Sequence, residues 1–149
     1  VVLGHRDEYA RLAADPACVE RTVEELLRYL SVVQVAFPRF PRQDVEVAGQ
    51  QIAKGDVVIT HLAGANRDGR TGSWMDAFDP SRALGSTTNL AFGYGFHRCV
   101  GAELARMELR TAFPALARRF PQMSVATERI DFRDMSIVYG VEALPVRLG

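Results

Sequence analysis

No run of apolar residues in this sequence approaches the roughly 20 needed to cross a bilayer, and no stretch built like a secretory signal opens it. An intracellular, cytoplasmic protein with no membrane contact is therefore the expectation. Charge of one sign is not in excess, because 18 Lys and Arg face 18 Asp and Glu. Without a basic block there is no footprint for counterion release from nucleic acid or for an anionic surface, so neither partner is expected. Cysteine is scarce: Cys18 and Cys99 lie far apart, which excludes a disulfide scaffold and a paired zinc knuckle. Internal repeats and low-complexity tracts are absent. What is present, 149 residues of which 48% are hydrophobic, suits a packed core of at most one domain. The first residue is Val1, and Val1-Val2-Leu3-Gly4 reads as the tail of an earlier element, so the chain is expected to be a piece of a longer protein.

The pattern along the chain is mainly helical with small sheets. A short helix is expected over 6–14. Asp15-Pro16 then supplies an N-cap and a proline at the first helical position, where a missing N–H costs nothing. The helix that follows, 16–30, carries Val19, Val23, Leu26, Leu27 and Leu30 on one stripe. Glu25 and Arg28 fall on the opposite face, where periodicity alone makes them an exposed ion pair. Pro38 and Pro41 keep the apolar run from Val32 to Pro38 extended. Val45, Val47, Ile52 and Val57-Val58-Ile59, punctuated by Ala48-Gly49 and Lys54-Gly55, predict a small antiparallel sheet over 45–62. Residues 63–90 read mostly as loop, and a loop that long is usually functional. A helix over 101–119 contains Leu104, Met107, Leu109 and Leu116, with Phe120 just beyond it, and Pro114 should kink it at about 3 kcal/mol. Segments 137–139 and 144–148 look like short strands, Pro145 favouring an edge.

The segment Phe92-Gly93-Tyr94-Gly95-Phe96-His97-Arg98-Cys99-Val100-Gly101 places one cysteine among glycines just before a helix. Gly93 and Gly95 permit backbone conformations closed to other residues and a close approach to a flat partner. Cys99 at the helix start meets free N–H groups and the positive end of the dipole, which favour a thiolate. Such a thiolate is a natural axial ligand for haem iron. Three other readings compete on the residues alone. Cys99 is a buried inert side chain, or the glycine loop binds phosphate without the Walker ending, or Cys99 is a nucleophile lacking a well-placed base, since His97 two residues away can face the opposite side.

The same segment is similar to the haem-binding loop of the cytochrome P-450 monooxygenases, and Ala105-Arg106 continues the match. Further similarities run in the family's order: Glu25-x-x-Arg28, Phe37-Pro38-Arg39, Ala65-Asn66-Arg67-Asp68, Phe78-Asp79-Pro80-Ser81-Arg82, then the cysteine loop. The resemblance covers nearly the whole chain and implies the C-terminal part of the cytochrome P-450 fold, mainly α with small antiparallel sheets, of the soluble bacterial type.

That resemblance implies haem b as cofactor, with Cys99 the iron ligand and Phe92, Gly93, Gly95 and Gly101 forming its loop. It implies His97 and Arg39 as partners of the haem propionates, joined by Asn89 where the family usually has His. Glu25 and Arg28 become, with Arg82, a buried network pinning the meander beneath the haem. Val33, Val35 and Phe37 in the extended run, and Ser136 and Ile137 in a late turn, correspond to regions facing substrate. The implied reaction inserts one oxygen atom of dioxygen into a hydrophobic small molecule. Its electrons come from NAD(P)H through a ferredoxin or similar carrier, which Arg106 and Arg110 would attract from an exposed helix face. No segment matches the family's helix that carries the acid and alcohol for proton delivery. Gly69 stands for a usual Pro, and Gly72-Ser73-Trp74 for Phe-Pro-Asp. The alternative reading is a truncated, non-catalytic haem-binding or structural relic.

Overall fold

In the computed structural model, which describes residues 1–86, 88–134 and 136–149, three helices gather around one core. They are α1 (Arg6–Ala14), α2 (Pro16–Leu30) and α4 (Ala102–Arg119), with a short α3 (Leu62–Asn66) between them. Asp15 divides α1 from α2. Its N–H closes α1 on the Arg11 carbonyl, and its carboxylate accepts the Ala17 N–H at 2.9 Å to cap α2 behind Pro16. Tyr9 and Leu12 of α1, Cys18, Val19 and Val23 of α2, Ala117 of α4 and Met123 form the buried cluster. Tyr9 donates its hydroxyl to the Phe120 carbonyl at 3.0 Å, and Arg6 donates to the Met123 carbonyl at 2.6 Å, tying α1 to the end of α4. Val2 and Leu3, in a 3₁₀ turn before α1, pack on the same cluster.

Helix α4 runs unbroken through Pro114, whose ring is buried. Its inward stripe is Leu109, Phe113, Ala117 and Phe120, at i, i+4, i+8 and i+11. Leu104, Met107 and Leu116 lie on the outer side, exposed.

The sheet expected over 45–62 is smaller than that. Only β1 (Val45–Val47) and β2 (Gln50–Ile52) pair, joined by Ala48-Gly49 with both φ positive, the left-handed two-residue turn that matches strand twist. Residues 57–61 turn instead to the extended run: Val58 exchanges two 2.9 Å bonds with Arg39, and Val35 bridges His61. Pro38 and Pro41 have no N–H to donate, so these contacts stay single bridges rather than a ladder. Likewise 137–139 forms one bridge, Val138 to Val33, while β4 (Val146–Arg147) pairs with β3 (Ser124–Val125). The long loop opens with α3, where the residue pattern predicts irregular chain.

Candidate functional site

The face of α2 opposite its apolar stripe is covered not by water but by residues 75–79. Glu25 and Arg28 are 4% and 2% exposed, so the exposed pair that periodicity suggests is a buried one. Arg28 meets Glu25 through two parallel bonds of 2.7 Å, the bidentate geometry of guanidinium and carboxylate. Its remaining N–H groups reach the carbonyls of Asn66, Met75 and Ala77 at 2.8, 2.6 and 2.9 Å. Glu25 also accepts the Asp79 N–H at 2.8 Å and lies 3.4 Å from Arg82 Nε. A buried charge pair survives only when its leftover donors and acceptors are filled; those of Arg28 and Glu25 are, while the buried Arg82 Nε beside them has no hydrogen-bond partner among the described residues.

Asn66, 1% exposed, extends this network: its amide donates to Ser31 Oγ and its oxygen accepts the Leu90 N–H, both at 2.8 Å. Ser31 closes α2 at φ 41, a left-handed conformation held by its N–H to Leu27 and its hydroxyl to the Arg28 carbonyl. Asn66 thus connects the end of α2 to the entrance of the cysteine loop. Sequence reasoning placed it in a motif without giving it a role; its only signal was a short amide residue beside the Arg67-Asp68 turn. In the departing stretch, Trp74 takes φ 56 and is 81% exposed, while its carbonyl accepts from Arg82 at 3.3 Å.

Between Leu90 and α4 the loop turns at Gly93 and Gly95, with φ of 72° and 74°, where any side chain would be strained. Residues Gly95–His97 form a 3₁₀ turn. The Cys99 N–H is donated to the Phe92 carbonyl at 2.9 Å, so this amide is spent inside the loop rather than on sulfur. Gly101 is the N-cap of α4 at φ −83; a Cβ there would only touch Cys99 Sγ at 3.8 Å. Cys99 is exposed in this chain. Around it Tyr94, Phe96 and Val100 are also exposed, Phe96 and Val100 completely. A reachable thiol at a helix N-terminus amid bare apolar side chains suits a flat, largely apolar group with a metal at its centre, so these residues fit haem.

The other residues fall as follows. His97 and Arg39 are exposed, and Arg39 belongs to the extended run. Val33 and Phe37 are exposed and Val35 half-buried, and the Val33–Val138 bridge brings this run beside the Ser136–Val138 turn. Asn89 does not extend toward open space: its amide donates to the Glu24 carbonyl and carboxylate at 3.1 and 3.3 Å. The steering role expected of Arg106 also needs correcting. Its side chain is 11% exposed, paired with Glu24 and Glu103, and Arg110 is paired with Glu20 at 2.8 Å.

A sequence profile of the family described as Cytochrome P450 matches residues 7–139. The chain belongs to the cytochrome P450 family. It is 45% identical over 148 residues to Cytochrome P450 105C1 of a Streptomyces species, covering 98% of this chain and 38% of that protein. To the Vitamin D3 dihydroxylase of Streptomyces griseolus it is 41% identical, covering 97% and 36%. The structure of the tirandamycin C-bound P450 monooxygenase TamI superimposes with a TM-score of 0.92 at 35% identity, over 99% of this chain and 37% of that one. The chain therefore spans little more than a third of the P450 proteins it matches, and its helices and small sheets are part of their fold. No helix of the described residues is long and apolar enough to cross a membrane.

Proposed function

We propose that Cys99 is the axial thiolate ligand of haem iron and that the protein is a monooxygenase acting on an apolar small molecule. The observation that carries this reading is the exposed Cys99, at the start of α4, in a loop whose two turns require Gly93 and Gly95. When bound, haem b supplies dioxygen activation: one oxygen atom enters a substrate C–H or double bond, and the other leaves as water with two electrons and two protons. The chain's own residues prepare for that. Cys99 gives its thiolate, and the Phe92 carbonyl holds the Cys99 backbone so that the sulfur stays at the helix N-terminus. His97 and Arg39 donate to the propionates, as imidazole and guanidinium suit carboxylates. The Glu25–Arg28–Arg82 network keeps 75–82 packed under the loop. Val33, Val35, Phe37, Ser136 and Ile137 face substrate, and their mostly apolar side chains select a hydrophobic compound.

The relatives named a vitamin D3 dihydroxylase and a tirandamycin C-bound monooxygenase support a small organic molecule as substrate class. Electrons come from NAD(P)H through a ferredoxin or similar carrier, and the setting is cytoplasmic. With Arg106 withdrawn into ion pairs, a cation beside Cys99 that reaches solvent is Arg98, half exposed and paired with the exposed Glu103. The test is the absorbance of the reduced, carbon-monoxide-bound protein expressed from its complete reading frame. A strongly red-shifted Soret band, lost in Cys99→Ser, is the expected result. A histidine-type band, or no haem at all, would refute the assignment and leave the relic reading.

A further inference from the structure

A polar cluster outside the Glu25–Arg28 network joins α2 to α4, and it converges on Glu24. Glu24 Oε1 accepts from Arg106 Nε at 2.5 Å, and Oε2 accepts from Arg106 Nη2 at 3.2 Å and from Asn89 at 3.3 Å. Asn89 precedes the cysteine loop and Arg106 follows it, so one carboxylate fastens both of its ends. The Arg106 guanidinium in turn lies 4.9 Å from the centre of the Phe92 ring, within cation–π range. Phe92 is also the residue whose carbonyl holds the Cys99 N–H. A displaced Phe92 therefore reaches Cys99 through a single hydrogen bond. Arg106 is mostly buried, and the Glu24 hydrogen bond raises its pKa above the ordinary value, so it stays charged throughout.

We infer that Glu24 and Arg106 are positioning residues, holding Phe92 and through it the Cys99 thiolate at the N-terminus of α4. The inference rests on Cys99 being the haem ligand. An ordinary helix-to-helix salt bridge would stabilise the protein without acting through Phe92, and the two cases part in a double-mutant comparison.

The measurement is the rate at which the reduced, carbon-monoxide-bound haem protein, expressed from its complete reading frame, loses its thiolate-type Soret band in mild denaturant. Arg106→Lys keeps the charge but loses the planar guanidinium, and Glu24→Gln keeps the shape but loses the charge. Each should speed the loss on the order of tenfold, the equivalent of one charge-assisted hydrogen bond. Glu103→Gln, which removes the exposed partner that Arg106 shares with Arg98, should change the rate less than about twofold. In a Phe92→Leu background Arg106→Lys should add less than about twofold, because the ring it acts through is gone. Equal acceleration by Arg106→Lys with and without the Phe92 ring would overturn the inference, as would no acceleration by either single variant. Absence of the thiolate band from the unsubstituted protein would overturn the haem-ligand reading itself, and this inference with it.

Discussion

Glu25 and Arg28 are not equivalent partners, and the difference sets a prediction. Removing one member of a buried ion pair typically costs about 3–5 kcal/mol, because the other charge is stranded away from water. Glu25→Gln should fall at the low end, near 3 kcal/mol, since Arg28 keeps its bonds to the carbonyls of Asn66, Met75 and Ala77. Arg28→Met strands Glu25 with only the Asp79 N–H and Arg82, and also orphans three carbonyls at about 1–3 kcal/mol each. A loss of about 5 kcal/mol or more is expected, comparable with the whole stability of many domains. The double variant Glu25→Leu with Arg28→Met is the sharper case. Replacing a buried pair by apolar residues is often neutral or stabilising, but here the three carbonyls stay unpaired, so the double variant should remain about 3–6 kcal/mol below the natural protein. Denaturant unfolding of the haem-loaded protein, with its haem-to-protein ratio, measures all three, and Arg28→Met should retain the least haem. A double variant as stable as the natural protein would show that the carbonyl bonds contribute nothing, and the argument would fail.

Asn66→Ala removes two buried bonds of 2.8 Å, to Ser31 and Leu90, and should cost about 2–4 kcal/mol in denaturant unfolding; Asn66→Ser, which restores one oxygen, should recover part of it. Asp79 has its pKa lowered first by the Ser81 hydroxyl, so it stabilises the fold above the unfolded carboxylate pKa of about 3.9 and loses that contribution as pH falls through its lower folded value. Ser81→Ala should raise the Asp79 titration seen by NMR and move the acid-unfolding midpoint to higher pH; an unchanged titration rejects the link. Pro114→Ala restores a helical N–H in the middle of α4 at the expense of some buried ring, for a net gain of about 1–2 kcal/mol in thermal unfolding. A lower melting temperature in that variant would mean that the packing of the ring outweighs the missing bond.

Local signals were legible in the sequence where one short stretch contains the whole cause. Asp15 and Pro16 define the start of α2 because capping and proline geometry act within one turn, and Gly93 and Gly95 mark turns because a positive φ is a property of the residue itself. The 45–62 sheet is smaller than its strand propensity predicts for the opposite reason. Val57, Val58 and Ile59 have strand propensity, but which partner they take depends on the proline-bearing run at 35–39, and propensity has no knowledge of that.

The polar half of the site shows the limit more clearly. Hydrophobic periodicity finds the face of a helix that meets an apolar core and assigns everything else to solvent. On α2 the second face is buried too, under the backbone of 75–79, and a backbone asks for hydrogen-bond donors rather than for leucine. Arg28 answers with N–H groups to Met75 and Ala77 and a third to Asn66, and Glu25 keeps the charge compensated, so the burial is written in residues that any hydropathy pattern reads as surface. The motif resemblance recovered this pair because it matches residue identities and not hydrophobicity. Glu24, the neighbouring acid, carried no such flag. It reads as a solvated glutamate, yet its carboxylate meets Arg106 and Asn89 from opposite ends of the cysteine loop, contacts created only when α4 folds back onto α2. A residue whose partners come from both sides of a loop is where sequence reading fails first, because neither partner is near it in the sequence.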